Sequence, residues 1–524
     1  MRIPLFQLIF ITKKNKFPLF LSTAIFLTFC TEFSSQTVDI NSYKLKPKIS
    51  FEKVQMNNEP DLGMIGIGVD VFLFKNIENL YATLNSYSTI TGERPGLISF
   101  GVGAGYLQPI PKTPLSIDAG IFVGGGGGGS AKVGGGLILR EHLNLVYSVK
   151  DISIFAGYSR LDFPMGNIGS NNVNVGLTIN TQLQNSKMTN ETSGKNENEN
   201  LNYKKLRITP HMMSYLNFSK SPIFKGSKNV NEDKIMVMGI ELDKFLTKDI
   251  YAALKLDGGV RGGIDGYMCY LVGFGYNKNI LKNILFLDAE LLAGPSGGGK
   301  INSDGGATFQ GSASLRTHIA NGFSLKFGLG KTISSKGSFN GNFFEIGLSK
   351  DLNLASENRE GNYLLKKGEK LQNFEISASN RSYFTTNGVD KGGDKYDSFF
   401  NLIGLEVSKK LGNNFSIFGS TLWAYQGHYG AYAEGILGVR KTLKIEEGLG
   451  FHLQGGIGAA GGGGIDVGTG LTLQYGLGLE KNISKNAKVF LTGGKINSIK
   501  GNFHPFYADL GFALSIGKVQ KLNE

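Results

Sequence analysis

The stretch GPSGGGKI at 294–301 comes nearest to a site of chemistry, because it almost spells a phosphate-binding loop and an apolar strand pattern leads into it. Such a loop needs a hydroxyl after its lysine to reach magnesium, and a helix start whose amides cradle phosphate. Ile301 stands at the hydroxyl position, and NSDGGATFQG, a turn followed by a strand, takes the place of the helix. The sister stretches GGGGGGSAK and AAGGGGIDV lack the pattern altogether. GGGGIDV (461–467) partly resembles one unit of a calcium-binding glycine–aspartate repeat, but those sites draw their ligands from stacked copies, and Asp466 has only one unit around it. His142, His211, His318, His428, His452 and His504 show no metal-ligand spacing and fall at non-equivalent places in the repeats, so they offer no nucleophile–base constellation. Each histidine is expected as a hydrogen-bonded residue on a polar face or in a loop. The expectation is therefore a chain that is not an enzyme, with no catalytic, cofactor or metal site.

Charge and cysteine narrow the classes further. The formal net charge is +13, yet the lysines are scattered singly or in pairs without a basic stripe interleaved with aromatics, so nucleic acid is not an expected partner. Beyond Cys30 only Cys269 remains, in the strand-like YMCYLVGFGY, where a small buried filler is its expected role. No run of about 18 apolar residues follows residue 30, so no transmembrane helix is available.

What would position any functional residue is a repeated β-unit. Lys13, Lys14 and Lys16 precede the apolar run FPLFLSTAIFLTFC (17–30) and then FSSQ, the order of an export signal, giving an expected signal peptide over 1–35. Phe29 is bulky for a lipoprotein signal ahead of Cys30. Glycine is the compositional outlier at 75 of 524 residues, about twice its usual share. Its densest stretches recur from Ala119, Ala289 and Gly455, and their flanks recur with them. MIGIGVD (64–70), VMGIELD (237–243) and LIGLEVS (402–408) lie upstream, and NVGLTIN, EIGLSKD and DLGFALS close the units. Three copies follow, over 36–180, 204–352 and 370–519. Polar linkers are expected at 181–203 and 353–369, the first disordered or flexible, with a short tail at 520–524.

The second copy shows the plan within a unit. In NILFLDAELLA, Leu285, Leu287, Ala289 and Leu291 share one face, whereas Phe286, Asp288 and Glu290 share the other. The same alternation places Arg316, Lys326, Lys255 and Asp257 on polar faces. Eight strands of about nine to eleven residues are expected, beginning near 206, 235, 250, 267, 284, 306, 322 and 342. Short turns join them at one end and longer Gly-rich loops at the other. Those loops serve equally as flexible tips or as surfaces that pack flat against a partner.

This even-numbered meander resembles the eight-stranded outer-membrane β-barrels. The resemblance implies an all-β protein of three tandem antiparallel eight-stranded meander barrels, or alternatively one 24-stranded barrel. It implies an exported protein held in outer-membrane lipid, acting as a passive pore or a structural surface component. It also implies that Lys255, Asp257, Asp288, Glu290, Arg316 and Lys326 face a lumen, where they must pair. Tyr267, Tyr276, Phe286, Phe323 and Phe343 near the strand ends are expected in an aromatic girdle, thinned by the single Trp423. The chain departs from the family in ending on SIGKVQKLNE without a terminal aromatic. The rival expectation is a secreted or periplasmic binding or adhesive protein with soluble β-domains.

Overall fold

Alternation of apolar and polar residues at a period of two builds strands with two unlike faces, and closing such strands on themselves removes the unpaired edges. The computed structural model describes residues 36–522 except 57, 74–75, 190–200, 219–234, 283, 321, 357–359, 386–387, 397, 413 and 485; among them are twenty-six strands and no helix. The expected signal peptide lies outside the described residues.

The first circuit runs through β1 (Thr37–Val54), β2 (Leu62–Val71), β3 (Leu80–Thr91), β4 (Ile98–Pro109), β5 (Leu115–Gly127), β6 (Leu137–Val149), β7 (Ile152–Asp162) and β8 (Gly169–Ile179). It closes by pairing β8 with β1, with Ile49 opposite Leu177. After β9 (Thr181–Thr189), a second circuit uses β10 (Tyr203–Phe218), β11 (Ile235–Phe245), β12 (Ile250–Arg261), β13 (Met268–Leu281), β14 (Leu285–Gly297), β15 (Ala307–Ala320), β16 (Phe323–Ser334) and β17 (Asn340–Ala355). It closes from β17 to β10, with His211 opposite Gly347. After β18 (Gly361–Leu364) come β19 (Glu369–Phe384), β20 (Phe399–Leu411), β21 (Phe415–Gln426), β22 (Ala433–Glu446), β23 (Leu449–Gly461), β24 (Leu471–Asn482), β25 (Ala487–Ser498) and β26 (Phe506–Lys521), closed with Arg381 opposite Asp509. Every neighbour is antiparallel, and closure falls at the eighth strand of each circuit. The second circuit's strands start within three residues of the expected positions.

The linkers differ from expectation. Residues 181–189, expected to be flexible, form β9, which pairs with β1 from Leu45–Thr181 to Thr37–Thr189. The first half of β1 overhangs its barrel, and its backbone N–H and C=O groups need partners that a polar strand supplies as well as an apolar one. Residues 190–200 lie outside the described residues. In the segment 353–369, β17 continues to Ala355 and β18 pairs Gly361–Leu364 with Ile40–Thr37. The expected tail at 520–524 begins inside β26. At this short-turn end β17 also pairs with β26, Leu354 opposite Gln520, and Val38, Tyr363 and Val519 bury together.

At the other end the Gly-rich loops pack against one another. A Cβ on Gly297 would stand 2.3 Å from the Gly96 nitrogen, and one on Gly461 2.1 Å from the Gly266 nitrogen. A Cβ on Gly127 would stand 2.4 Å from the Gly430 oxygen. Gly96 and Gly266 also hold φ near +81°, a conformation that L side chains rarely adopt. Each circuit therefore sets its third hairpin corner against the fifth strand of another, and the contacts run first to second, second to third, third to first. The ring is closed and heterologous. Trp423, expected in a membrane girdle, instead lies buried at this junction, 6.4 Å from the Phe100 ring and 6.2 Å from that of Tyr270.

Candidate functional site: the filled barrel interiors

Side chains that alternate inward must fill a cylinder too narrow for water to flow through, and eight strands leave room for little else. In the second barrel β10, β11, β12, β14, β15, β16 and β17 send charges inward, and all six residues expected there are buried. The Lys326 Nζ donates to Glu241 Oε1 at 2.9 Å and to Glu290 Oε1 at 3.2 Å, and lies 3.4 Å from Glu345. Lys255 lies 3.2 Å from Glu345 and 3.6 Å from Glu241. Arg316 donates to Asp288 at 3.2 Å, and its guanidinium stacks over the Phe286 ring. Asp257 meets the His211 Nε2 at 2.6 Å. Tyr251 and Ser312 donate to Glu290, and Asn277 donates to Asp288.

Five further buried charged or imidazole side chains of this network were not among the expected residues. Arg207 donates to Asp288 and Asp351, lies 3.6 Å from Asp243, and joins His211, Glu241, Asp243 and Glu345 in the interior. The signal for them was present. Arg207, Thr209 and His211 alternate with Leu206, Ile208 and Pro210, and Glu241 and Asp243 alternate with Ile240 and Leu242.

The other interiors use different residues to the same end. In the first, Arg140 grips Glu52 at 3.1 Å, Lys48 pairs with Asp70 at 2.6 Å, and Asp118 receives Tyr81 and His142. In the third, Arg381 holds Glu434 and Asp509, Arg440 holds Glu406, and Lys488 bridges Glu375 and Glu480. Most of these charges are answered at hydrogen-bond distance, since an isolated ion out of water is very costly; Asp243, whose oxygens accept no hydrogen bond, has Arg207 at 3.6 Å.

Loop residues stopper each interior at the Gly-rich end. Ile264, Ile301 and Phe339 turn back into the second barrel beside Tyr215, Tyr267 and Phe343. Ile465, Val467 and Phe503 do so in the third, and Val133, Phe163 and Ile168 in the first. Tyr267 and Phe343, expected in a girdle, are therefore part of the stopper, and Phe286 lies under Arg316; Tyr276 and Phe323 do face outward. Cys269 is buried in the same stopper, as expected for a small filler.

The tempting motifs have structural explanations. In GPSGGGKI, β14 runs to Gly297, a turn follows, and β15 opens at Ala307, so no helix presents amides to a phosphate. Asp466 accepts from the Gly468 amide at 3.1 Å, while its own amide donates to the Tyr396 hydroxyl. His211, Glu241 and Glu345 place ligand atoms within 4.8 Å of one another. A divalent ion there would face the ammonium groups of Lys255 and Lys326, which already occupy both carboxylates. His142, His211 and His452 are hydrogen-bonded inside the barrels, and His318, His428 and His504 are exposed.

The outward faces are the reverse of the interiors. Leu291 is 77% exposed and Tyr158 71%, and exposed Ile, Leu, Val, Phe and Tyr recur along β5–β8, β14–β17 and β23–β26. Soluble proteins do not carry apolar surface on that scale, and lipid-facing barrel walls consist of it. The resemblance is to outer-membrane β-barrels.

No family model matches the chain. No curated protein matches it either. Among solved structures it aligns with the siderophore receptor PirA from Pseudomonas aeruginosa, at 9% identity and a TM-score of 0.27, over 90% of this chain and 80% of that one. It aligns also with OccK5 (OpdH) of the same organism, at 10% identity and a TM-score of 0.21, over 92% and 98%. Superpositions this loose carry nothing over to the present chain, whose surfaces speak for themselves.

Proposed function

We propose that the chain is a non-enzymatic component of the outer membrane, three small barrels standing side by side in lipid as a structural surface element. The apolar outer wall around charge-filled interiors carries this reading, because only lipid accepts the first and only closed walls accommodate the second. A passive pore is the less favoured role. The paired charges and the loop residues packed over them, among the described residues, weigh against a wide water path, and the receptor and OccK proteins it aligns with lend no weight either way. Export to the periplasm or medium as a soluble binding protein would strand the exposed leucines and isoleucines in water. No cofactor, nucleic acid or protein partner is part of the proposal; membrane lipid is the partner.

Two measurements test it. Membranes extracted with carbonate should retain the protein until detergent is added, and recovery in the soluble fraction would refute the membrane reading. In planar bilayers the purified protein should raise no stepwise conductance at physiological salt. Regular channel openings would instead establish a pore.

A further inference from the structure

The three barrels place unlike residues at one inward point of their shared register, just inside the short-turn mouth. In the second barrel Arg207 stands there, opposite Asp243 on one neighbouring strand and Asp351 on the other, and these two with Asp288 surround it at 3.1 to 3.6 Å. In the third the position belongs to Glu375, which Lys410 and Lys488 answer at 3.2 and 2.8 Å. In the first it belongs to Lys46, opposite Asp70. The register that joins Lys48 to Thr178 and Leu45 to Thr181 puts Asn180, an amide, where the second barrel has Asp351. Asp70 does not serve Lys46, for it accepts from the Lys48 ammonium and the Thr83 hydroxyl, both at 2.6 Å. Asp118, the counterpart of Asp288, accepts from Tyr81 at 2.7 Å and meets His142 at 3.1 Å and Asn144 at 3.3 Å. Lys46 is 5% exposed, and among the described residues it makes neither an ion pair nor a hydrogen bond. With Asp70, Phe72, Tyr81, Asp118 and Thr178 it lines a cavity of about 20 Å³. The Thr178 hydroxyl is buried there, also without a hydrogen-bond partner.

We infer that the short-turn mouth of the first barrel binds a small monovalent inorganic anion, of halide size, between the Lys46 ammonium and the Thr178 hydroxyl. Both unanswered groups are donors, and the carboxylates beside them are already engaged, so the pair calls for an acceptor. A charged acceptor suits it best, because a neutral one leaves the buried ammonium uncompensated. Lys44, its Nζ 4.8 Å from the centre of the Phe72 ring, adds positive charge at the mouth. Size limits the ligand to one particle near that of a water molecule. Asp70 and Asp118 on the same wall disfavour a second negative charge. The site belongs to the barrel interior and holds whether or not the outer wall meets lipid.

The probe is bromide, compared at equal ionic strength with gluconate, an anion too large for the cavity, so that screening is the same in both. The full chain in non-ionic detergent is titrated with sodium bromide, binding is read from the nuclear magnetic resonance line width of the ion, and urea unfolding is followed in each salt. The broadening should saturate and be reversed by chloride, and bromide should raise the unfolding midpoint above that in gluconate. Lys46→Gln should bind bromide about tenfold or more weakly, the loss of one charge-assisted hydrogen bond, and should lose the difference in midpoint. Lys46→Arg should keep both. Thr178→Val removes only the hydroxyl and should also weaken bromide, which keeps the test open where Lys46→Gln fails to fold. Equal midpoints in the two salts, or broadening that does not saturate in the unaltered chain, overturn the site. Bromide binding unchanged in Lys46→Gln or in Thr178→Val overturns it as well.

Discussion

Replacing Lys326 with methionine, which keeps most of its volume and removes its charge, perturbs the second barrel where its interior is most heavily charged. Lys326 touches three carboxylates, those of Glu241 at 2.9 and 3.0 Å, Glu290 at 3.2 Å and Glu345 at 3.4 Å. Without it, Lys255 answers Glu241 and, with His211 4.0 Å away, Glu345, and Glu290 keeps the hydroxyls of Tyr251 and Ser312. Breaking a buried pair from one side costs about 3–5 kcal/mol, whereas an exposed lysine would cost under about 1 kcal/mol. Adding Glu241→Gln to Lys326→Met removes one stranded charge and should recover part of the loss, roughly 0.5–3 kcal/mol of coupling. Urea unfolding of the full chain in lipid vesicles, followed by far-ultraviolet circular dichroism, measures both. The single variant should show an early transition carrying about a third of the amplitude, because one barrel in three is weakened. An unaltered midpoint would refute the reasoning, and so would a double variant less stable than the single one by the full cost of a second pair.

Other expectations can be checked with the same protein. Arg316→Ala should cost less than Lys326→Met, because Asp288 keeps Arg207 and Asn277; equal losses in urea unfolding would contradict the ranking. Gly461→Val cannot seat its side chain without moving the backbone at Gly266, so Trp423 fluorescence should shift to the red and stability should fall by about 1–3 kcal/mol; unchanged emission would count against the ring of loops. Residues 203–355, refolded alone in detergent, should give a heat-modifiable monomer, since every strand from β10 to β17 finds both neighbours inside the fragment; aggregation would favour one large barrel. The hydrogen bond from Arg94 holds the Glu59 carboxyl below its ordinary range, and Arg94 also donates to the Gly129 and Ser130 carbonyls. A depressed carboxyl contributes order that is present above the unfolded value of about 4.3 and lost as pH falls through the folded one. Protection of the 128–133 loop amides, relative to their intrinsic exchange at each pH, should therefore fall only below about pH 4, and a loss of protection at neutral pH would break the link.

The strands were legible because their information is local. Alternation fixes which residues share a face, so Asp288, Glu290, Arg316 and Lys326 could be put on one side before anything was known of their partners. Phe343 was misplaced although the same rule applies to it: in NFFEIGLS it shares a face with Glu345, and Phe344 shares one with Ile346. Proximity to a strand end outweighed parity in that reading. β9 was hidden for another reason. QLQNSKM has no apolar rhythm, and what orders it is the overhanging half of β1, some 140 residues earlier in the chain. The meeting of Gly96 with Gly297 was out of reach as well. Glycine reports that something comes close, and the identity of what comes close depends on how whole barrels sit together.

Three barrels tied by one repeated glycine contact behave like a trimer whose subunits were fused end to end, and fusion frees each subunit from having to match the others. In a trimer of identical chains a change to one interior is made in all three at once. Here Glu52 and Arg140 fill one interior, the lysine–glutamate cluster around Lys326 another, and Arg381 with Glu434 and Asp509 the third. The joints are alike while the contents differ. Stoichiometry and neighbour order are written into a single gene, so one barrel can acquire a new lining while the other two go on holding the assembly in place.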